Sequence, residues 1–425
     1  MNRMIRIAGL TAALVMLAGV AAAQTVAITG ARVLVGNGTT LDGATVVIRD
    51  GRIAAVGRDA AVPDGARIID ARGKVVTPGL LNSATSLGAM EIEAVDETND
   101  AASNNPKITA AFDIRYSLNP WTTLIPIERD GGVTSAVVAP NPRASIIAGT
   151  GALIRLSGLR VDSLVERSPV AMFGAFDERA AARTGGSRGD AMLTFRELLQ
   201  DVKIYAADRQ AYDNRARRDL ALSRLDLEAM VPVVEGKLPL ALSVNRAADI
   251  LNALALAREF RLRLIIIGAA EGWMVADDIR AAGVPVILDP LLDIPGYDGL
   301  AATLENATRL RKAGVTIAFA TFDAHNARNL RFSAGNAVAN GLPYDEALAA
   351  ITSAPARIWG VGDRLGQIAA GQDADVVVWS GDPFELMTRA EHVFIRGQEM
   401  APDNRQRELL ARYRTLSDTL PPQYR

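Results

Sequence analysis

Cysteine is absent from the 425 residues, which excludes disulfides, thiolate nucleophiles and thiolate-held metals. Histidine is nearly absent, with His325 and His392 the whole supply. Protein zinc sites draw heavily on imidazole, so two histidines restrict such a site before any motif is considered. An excess of positive charge is also missing. The 46 lysines and arginines stand against 48 acidic residues, a formal charge of −2, and nothing in that balance recommends nucleic acid as a partner. Long hydrophobic runs are missing too, except at the start. There, Arg3 and Arg6 precede the apolar run 7–20, and Ala21-Ala22-Ala23 supplies a small-residue cleavage site before Gln24. This reads as a secretory signal over 1–23. Its removal takes two arginines away and leaves a mature chain of about −4. With no cysteine to take a lipid and too short an apolar span for an anchor, the expectation is a soluble periplasmic protein without stable membrane insertion.

What the sequence does contain is centred on Lys74-Val75-Val76-Thr77-Pro78-Gly79-Leu80-Leu81-Asn82-Ser83-Ala84-Thr85-Ser86-Leu87-Gly88. A β-branched run punctuated by proline and leaving through small polar residues has the pattern of a buried strand whose C-terminal end opens into a site. Upstream, 27–35, 44–49, 52–56 and 67–70 read as short strands joined by turns, including the hairpin signal Asp50-Gly51. They are too short to close a core alone. Partners are available near the other end, in Asp375-Val376-Val377-Val378-Trp379 and His392-Val393-Phe394-Ile395-Arg396-Gly397.

Between the two ends, strands and helices alternate. Strands are expected at 133–139, 170–176, 238–244, 262–267, 284–288 and 316–320, and helices at 191–228, 246–260, 275–282 and 300–313. The polar stretch 96–115 reads as a loop covering the mouth of a barrel. Gly149 and Gly151 read as turn residues, because the Gly-Lys-Ser/Thr ending of a phosphate loop is missing. Arg215, Arg217 and Arg218 read as a solvated helix face.

The phrase Pro78-Gly79-Leu80-Leu81-Asn82-Ser83-Ala84-Thr85-Ser86 resembles the amidohydrolase superfamily, in particular its imidazolonepropionase-like and secreted metal-dependent peptidase-like branch. There the phrase runs Pro-Gly-Leu-Ile-Asp, one residue, His, any residue, His. The segments Gly366-Gln367-Ile368 and Gly371-Gln372-Asp373-Ala374-Asp375 resemble the family's closing phrase. The resemblance implies an α/β fold: a (β/α)8 TIM-like barrel with a discontinuous small β-sandwich domain built from both chain ends. The expected boundaries are 24–74 plus 360–402 for the composite domain, 75–359 for the barrel and 403–425 for a peripheral tail.

The family's chemistry needs imidazole and carboxylate ligands at the strand ends, because a divalent cation must activate water and polarise a scissile carbonyl. The resemblance places Ala84 and Ser86 where the first histidine pair belongs, Ser243 at the fifth-strand histidine and Gly268 at the sixth. At the eighth strand either Phe322 or Asp323 aligns with the family's aspartate. No convincing bridging lysine precedes the fifth strand. Neither metal nor another cofactor is therefore expected. Asp323 and His325, two apart and sharing a face if in a strand, remain weak candidates for an acid-base pair or a two-ligand metal site. Candidate binding residues are Asn82, Asn245, Arg246, Glu271, Trp273, Arg328 and Asn329; Arg246 equally suits a helix cap and Trp273 simple packing. His392 reads as structural.

Three functions follow. The first is a catalytically degenerate, metal-free member that binds a small molecule or peptide, or serves as a partner subunit in a homo-oligomer or beside an intact paralogue. The second is a hydrolase of peptide or other C–N bonds with an unconventional site. The third is a purely structural interaction protein, which predicts a filled mouth, for instance one blocked by Phe322, and an exposed apolar patch elsewhere.

Overall fold

A computed structural model describes residues 25–216 and 218–414. The expected leader at 1–23, Arg217 and the end of the tail lie outside them. No helix among the described residues is long and apolar enough to cross a membrane.

The short strands from the two ends share one eight-stranded sheet, in the order Gln398–Glu399, Ala390–Ile395, Val376–Trp379, Val75–Pro78, Val26–Leu34, Thr40–Arg49 and Arg52–Gly57, with Arg67–Asp70 beside Val26–Leu34. Its apolar side chains form a core of their own, including Ile28, Val46, Ile53, Val76, Val376 and Phe394. Val75–Pro78 belongs to this sheet, pairing parallel with Val26–Leu34 and antiparallel with Val376–Trp379. The barrel expected to begin at Val75 therefore begins at Leu80. Pro78 and Gly79 divide one continuous apolar run between two sheets. A Cβ on Gly79 would lie 2.1 Å from Thr134 Oγ1, so the crossing requires glycine.

In the barrel, Leu80–Thr85 pairs parallel with Val133–Val138, and Met172–Ala175, Leu240–Val244, Leu264–Gly268, Val286–Leu288 and Ile317–Phe319 form a parallel series. Between Val133–Val138 and Met172–Ala175 the chain runs antiparallel to both, through Ile147–Thr150 and Ala152–Arg155 on either side of Gly151. Alternation along each strand separates two cores. Val137, Phe173, Ala241, Ile265, Ile287 and Ala318 face an inner cluster, whereas Val138, Met172, Leu242, Ile266, Leu288 and Phe319 pack into an outer one with the helices. The barrel closes where Phe322 N–H donates to the Ala84 carbonyl at 3.1 Å and Asn82 Nδ2 donates to Thr321 Oγ1 at 2.8 Å.

Several expected helices are shorter or broken. The expected helix 191–228 is divided among Arg188–Ala207, Arg209–Asp213 and Arg224–Val234, while 300–313 holds only Asn306–Lys312, which leaves 289–305 as an irregular loop over the barrel. Arg218 is exposed, as expected, but it also pairs with Asp201, which is fully buried. Barrel and composite sheet are joined by a buried cation. Arg155, fully buried at the end of Ala152–Arg155, reaches Asp375 at 2.6 Å, Asp373 at 3.3 Å and Glu166 at 3.5 Å. Arg364 and Arg396 close the network around the same acids.

Candidate functional site

The C-terminal ends of the barrel strands surround an open cavity of about 690 Å³. Ala84, Ser243, Gly268 and Phe322 all line it, so these four positions, distant in sequence, converge. Ser86 does not. It is buried beside Met90, with Oγ 4.0 Å from that sulfur. Phe322 has a left-handed backbone (φ +56°) and is about one-third exposed, so it borders the cavity without sealing it.

Two features decide what the four positions can do. Ser243 Oγ donates to Asp177 Oδ2 at 3.3 Å, and Asp177 Oδ1 in turn accepts from Ala180 N–H at the start of the helix Glu178–Arg183. Gly268 has φ +90°, and a Cβ there would lie 2.3 Å from Asn245 Oδ1. The Asn245 amide thus fills the space a side chain at 268 would enter. Its Nδ2 donates to Asp298 at 2.9 Å, Asp298 pairs with Arg188 at 2.8 Å, and Arg188 pairs with Asp249 at 2.7 Å. These residues do not fit a divalent metal: alanine and glycine offer no donor atom, and the sixth-strand position is closed. Among the described residues no group of three or more histidines, acids or cysteines is arranged to hold an ion.

The remaining candidates are spread over structural roles. Asp323 and His325 lie beyond the strand Ile317–Phe319, in a turn rather than on one strand face. Asp323 Oδ1 accepts from His325 N–H at 2.6 Å and its Oδ2 accepts from Asn326 Nδ2 at 2.7 Å. His325 Nε2 is buried without a hydrogen-bond partner, and neither residue lines the cavity. The expected acid-base pair does not form, because the carboxylate is committed to its own turn. Arg328 donates to the fully buried Glu128 at 2.6 Å and also covers it through its backbone N–H at 2.5 Å. Burial nevertheless pushes Glu128 up to about 7, outweighing that guanidinium. Asn329 reaches only Asn326, at 3.4 Å.

Glu271 accepts from Ala247 N–H at 3.0 Å and Ala301 N–H at 3.1 Å, tying the start of the helix Ala247–Phe260 to the loop above. Trp273 Nε1 donates to the Ala301 carbonyl at 2.8 Å, and Arg309 stacks over its ring. Arg246 occupies the N-cap position of Ala247–Phe260 without a side-chain capping bond. Of the seven expected binding residues, only Asn245 lines the cavity. His392 sits in the strand Ala390–Ile395, its Nδ1 2.6 Å from Glu399.

Sequence reading missed the carboxylates of the cavity wall. Asp289 follows the strand Val286–Leu288, and Asp293 lies four residues on; both line the cavity and both are more than nine-tenths buried. Asp289 Oδ1 accepts from Leu291 N–H at 3.0 Å and Ser333 Oγ at 2.9 Å, and Asp293 Oδ2 accepts from Asn306 Nδ2 at 3.1 Å. Burial raises Asp289 above the usual carboxylate range. It pushes Asp293 to about 8, with the Asp289 charge adding to the effect. The available signal was Asp289 itself, an acid directly after a buried apolar strand of a parallel barrel.

Comparison with known proteins agrees with this architecture. A family profile described as "Amidohydrolase family" matches residues 309–401. An "Amidohydrolase tasK" of Hapsidospora irregularis is 26% identical over 375 residues, covering 80% of this chain but 38% of that longer protein. An "Imidazolonepropionase" of Polaromonas sp. is 27% identical over 419 residues, covering 85% of this chain and 91% of the other. Among solved structures, an amidohydrolase from Thermotoga maritima superposes with a TM-score of 0.80 at 27% identity, covering 88% of this chain and 99% of that one.

Proposed function

This chain belongs to the amidohydrolase superfamily, and from that membership we propose that it is a catalytically degenerate, metal-free member that uses its barrel mouth to bind a small molecule or short peptide. The observation that carries this reading is the state of the sixth-strand position. Gly268 cannot be replaced by a ligand side chain without displacing Asn245, which is itself anchored through Asp298 and Arg188. Loss of a ligand here is built into the packing around the site. Ala84, Ser243 and Phe322 stand at three further positions of the same cavity, and the open mouth supports binding over a purely structural role. The leader-like sequence at 1–23 supports action in the periplasm. Assembly with a second copy, or with a metal-bearing paralogue, would provide a partner for such a subunit.

The test is a hydrolysis screen of the purified protein against dipeptides and cyclic amides, with and without added zinc, manganese or cobalt. The expected result is no metal-dependent turnover. Turnover that follows added metal and disappears on chelation would overturn the reading.

A further inference from the structure

Asp289 and Asp293 are the cavity's unspent groups. Asp289 uses Oδ1 for Leu291 and Ser333, and Asp293 uses Oδ2 for Asn306, which leaves Oδ2 of the first and Oδ1 of the second without a protein hydrogen-bond partner. Neither carboxyl is in a salt bridge, although both are more than nine-tenths buried. Both carboxyls line the open cavity, so a donor that enters it can reach their free oxygens.

Of the other charges lining the cavity, Asp177, Glu178, Arg179, Arg183 and Asp298, none is in an ion pair or hydrogen bond with either acid, although Arg179 is an exposed cation of the same wall. Asp298 is held by Arg188 and Asn245, and Asp177 caps the helix Glu178–Arg183. Arg183 spends its guanidinium on the Pro142 and Arg143 carbonyls. The cavity also offers apolar surface. Ile267, Leu292, Ile294, Tyr297 and Phe322 line it, and Leu292, Ile294 and Tyr297 are 60%, 60% and 94% exposed on the irregular loop at its rim.

Resting on the reading of the mouth as a binding cavity, we propose that Asp289 and Asp293 form a subsite for a cationic nitrogen, an ammonium or guanidinium, whose attached apolar or aromatic body lies against Phe322 and the rim loop. The cation supplies N–H donors to the two free oxygens and a charge that favours the ionised form of both carboxyls, and the apolar lining accepts the remainder of the molecule.

Calorimetric titration of the purified protein with 2-phenylethylamine, 2-phenylethanol and phenylacetate tests the assignment, because the three probes share the ring and differ in the charge of the head group. The amine is expected to bind at least about tenfold more tightly than the alcohol, and phenylacetate most weakly. Asp289→Asn and Asp293→Asn are each expected to weaken the amine by about tenfold while leaving the alcohol unchanged. The comparison of probes on the unaltered protein needs neither variant to fold. Equal binding of amine and alcohol, or preference for phenylacetate, would overturn the cation subsite while leaving a binding cavity in place. No binding of any probe would overturn the subsite outright. Metal-dependent hydrolysis in the screen above would instead remove the degenerate reading, an outcome the titration does not report.

Discussion

At the residue scale, the small side chains of the barrel mouth are integrated into their surroundings. Gly268 shows this most clearly, since its backbone is left-handed and its missing Cβ makes room for the Asn245 amide. Gly268→His is expected to destabilise the fold by about 1–3 kcal/mol through strain and overlap, read as a lowered urea midpoint. Pairing it with Asn245→Gly should recover part of that loss, and a fully additive pair would contradict the proposed overlap. Asp293 gives a pH signature of opposite sense to that of a salt-bridged acid. Its folded pKa, about 8, lies above the ordinary 3.8, so burial favours the protonated form. The penalty is absent below the unfolded value and grows as pH rises towards about 8, so ligand-free stability should fall across that window. Asp293→Asn should flatten that part of the profile in urea titrations at a series of pH values. An unchanged slope would show that the carboxyl is not held in its neutral form.

At the element scale, the barrel and the composite sheet meet through Arg155, a fully buried cation serving Asp375, Asp373 and Glu166. Arg155→Met keeps much of the volume but leaves three acids short of a partner, and burial already raises Asp375. It is expected to cost about 3–5 kcal/mol, measured by chemical denaturation. A loss below about 1 kcal/mol would mean that Arg364 and Arg396 satisfy the acids alone. The same scale shows what the sequence made legible. Period-two and apolar strand patterns located Leu240–Val244, Leu264–Gly268 and Val286–Leu288, because each is a short aliphatic run bounded by turn residues. The run through Val75 could not reveal that it changes sheets at Gly79, since both sheets demand the same buried β-branched residues. Asp323 and His325 were paired on the assumption of an extended strand, whereas the strand ends at Phe319 and Phe322 turns left-handed. Asp293 was hidden because 289–305 has no regular periodicity, and its burial depends on Asn306 from the following helix.

At the scale of the whole molecule, an amidohydrolase-type fold surrounds a mouth lined by small side chains and a structural amide. The barrel, its two cores and the composite sheet are held by apolar packing and strand pairing. A cationic ligand that occupies the mouth should raise the melting temperature in proportion to the logarithm of its concentration, whereas zinc should not. The most direct test is the zinc-to-protein ratio after the purified protein is incubated with excess zinc and separated from free metal by gel filtration. A ratio far below one, unchanged in Asp323→Ala and His325→Ala variants, is the predicted result; one tightly held zinc per chain, lost in either variant, would contradict the account.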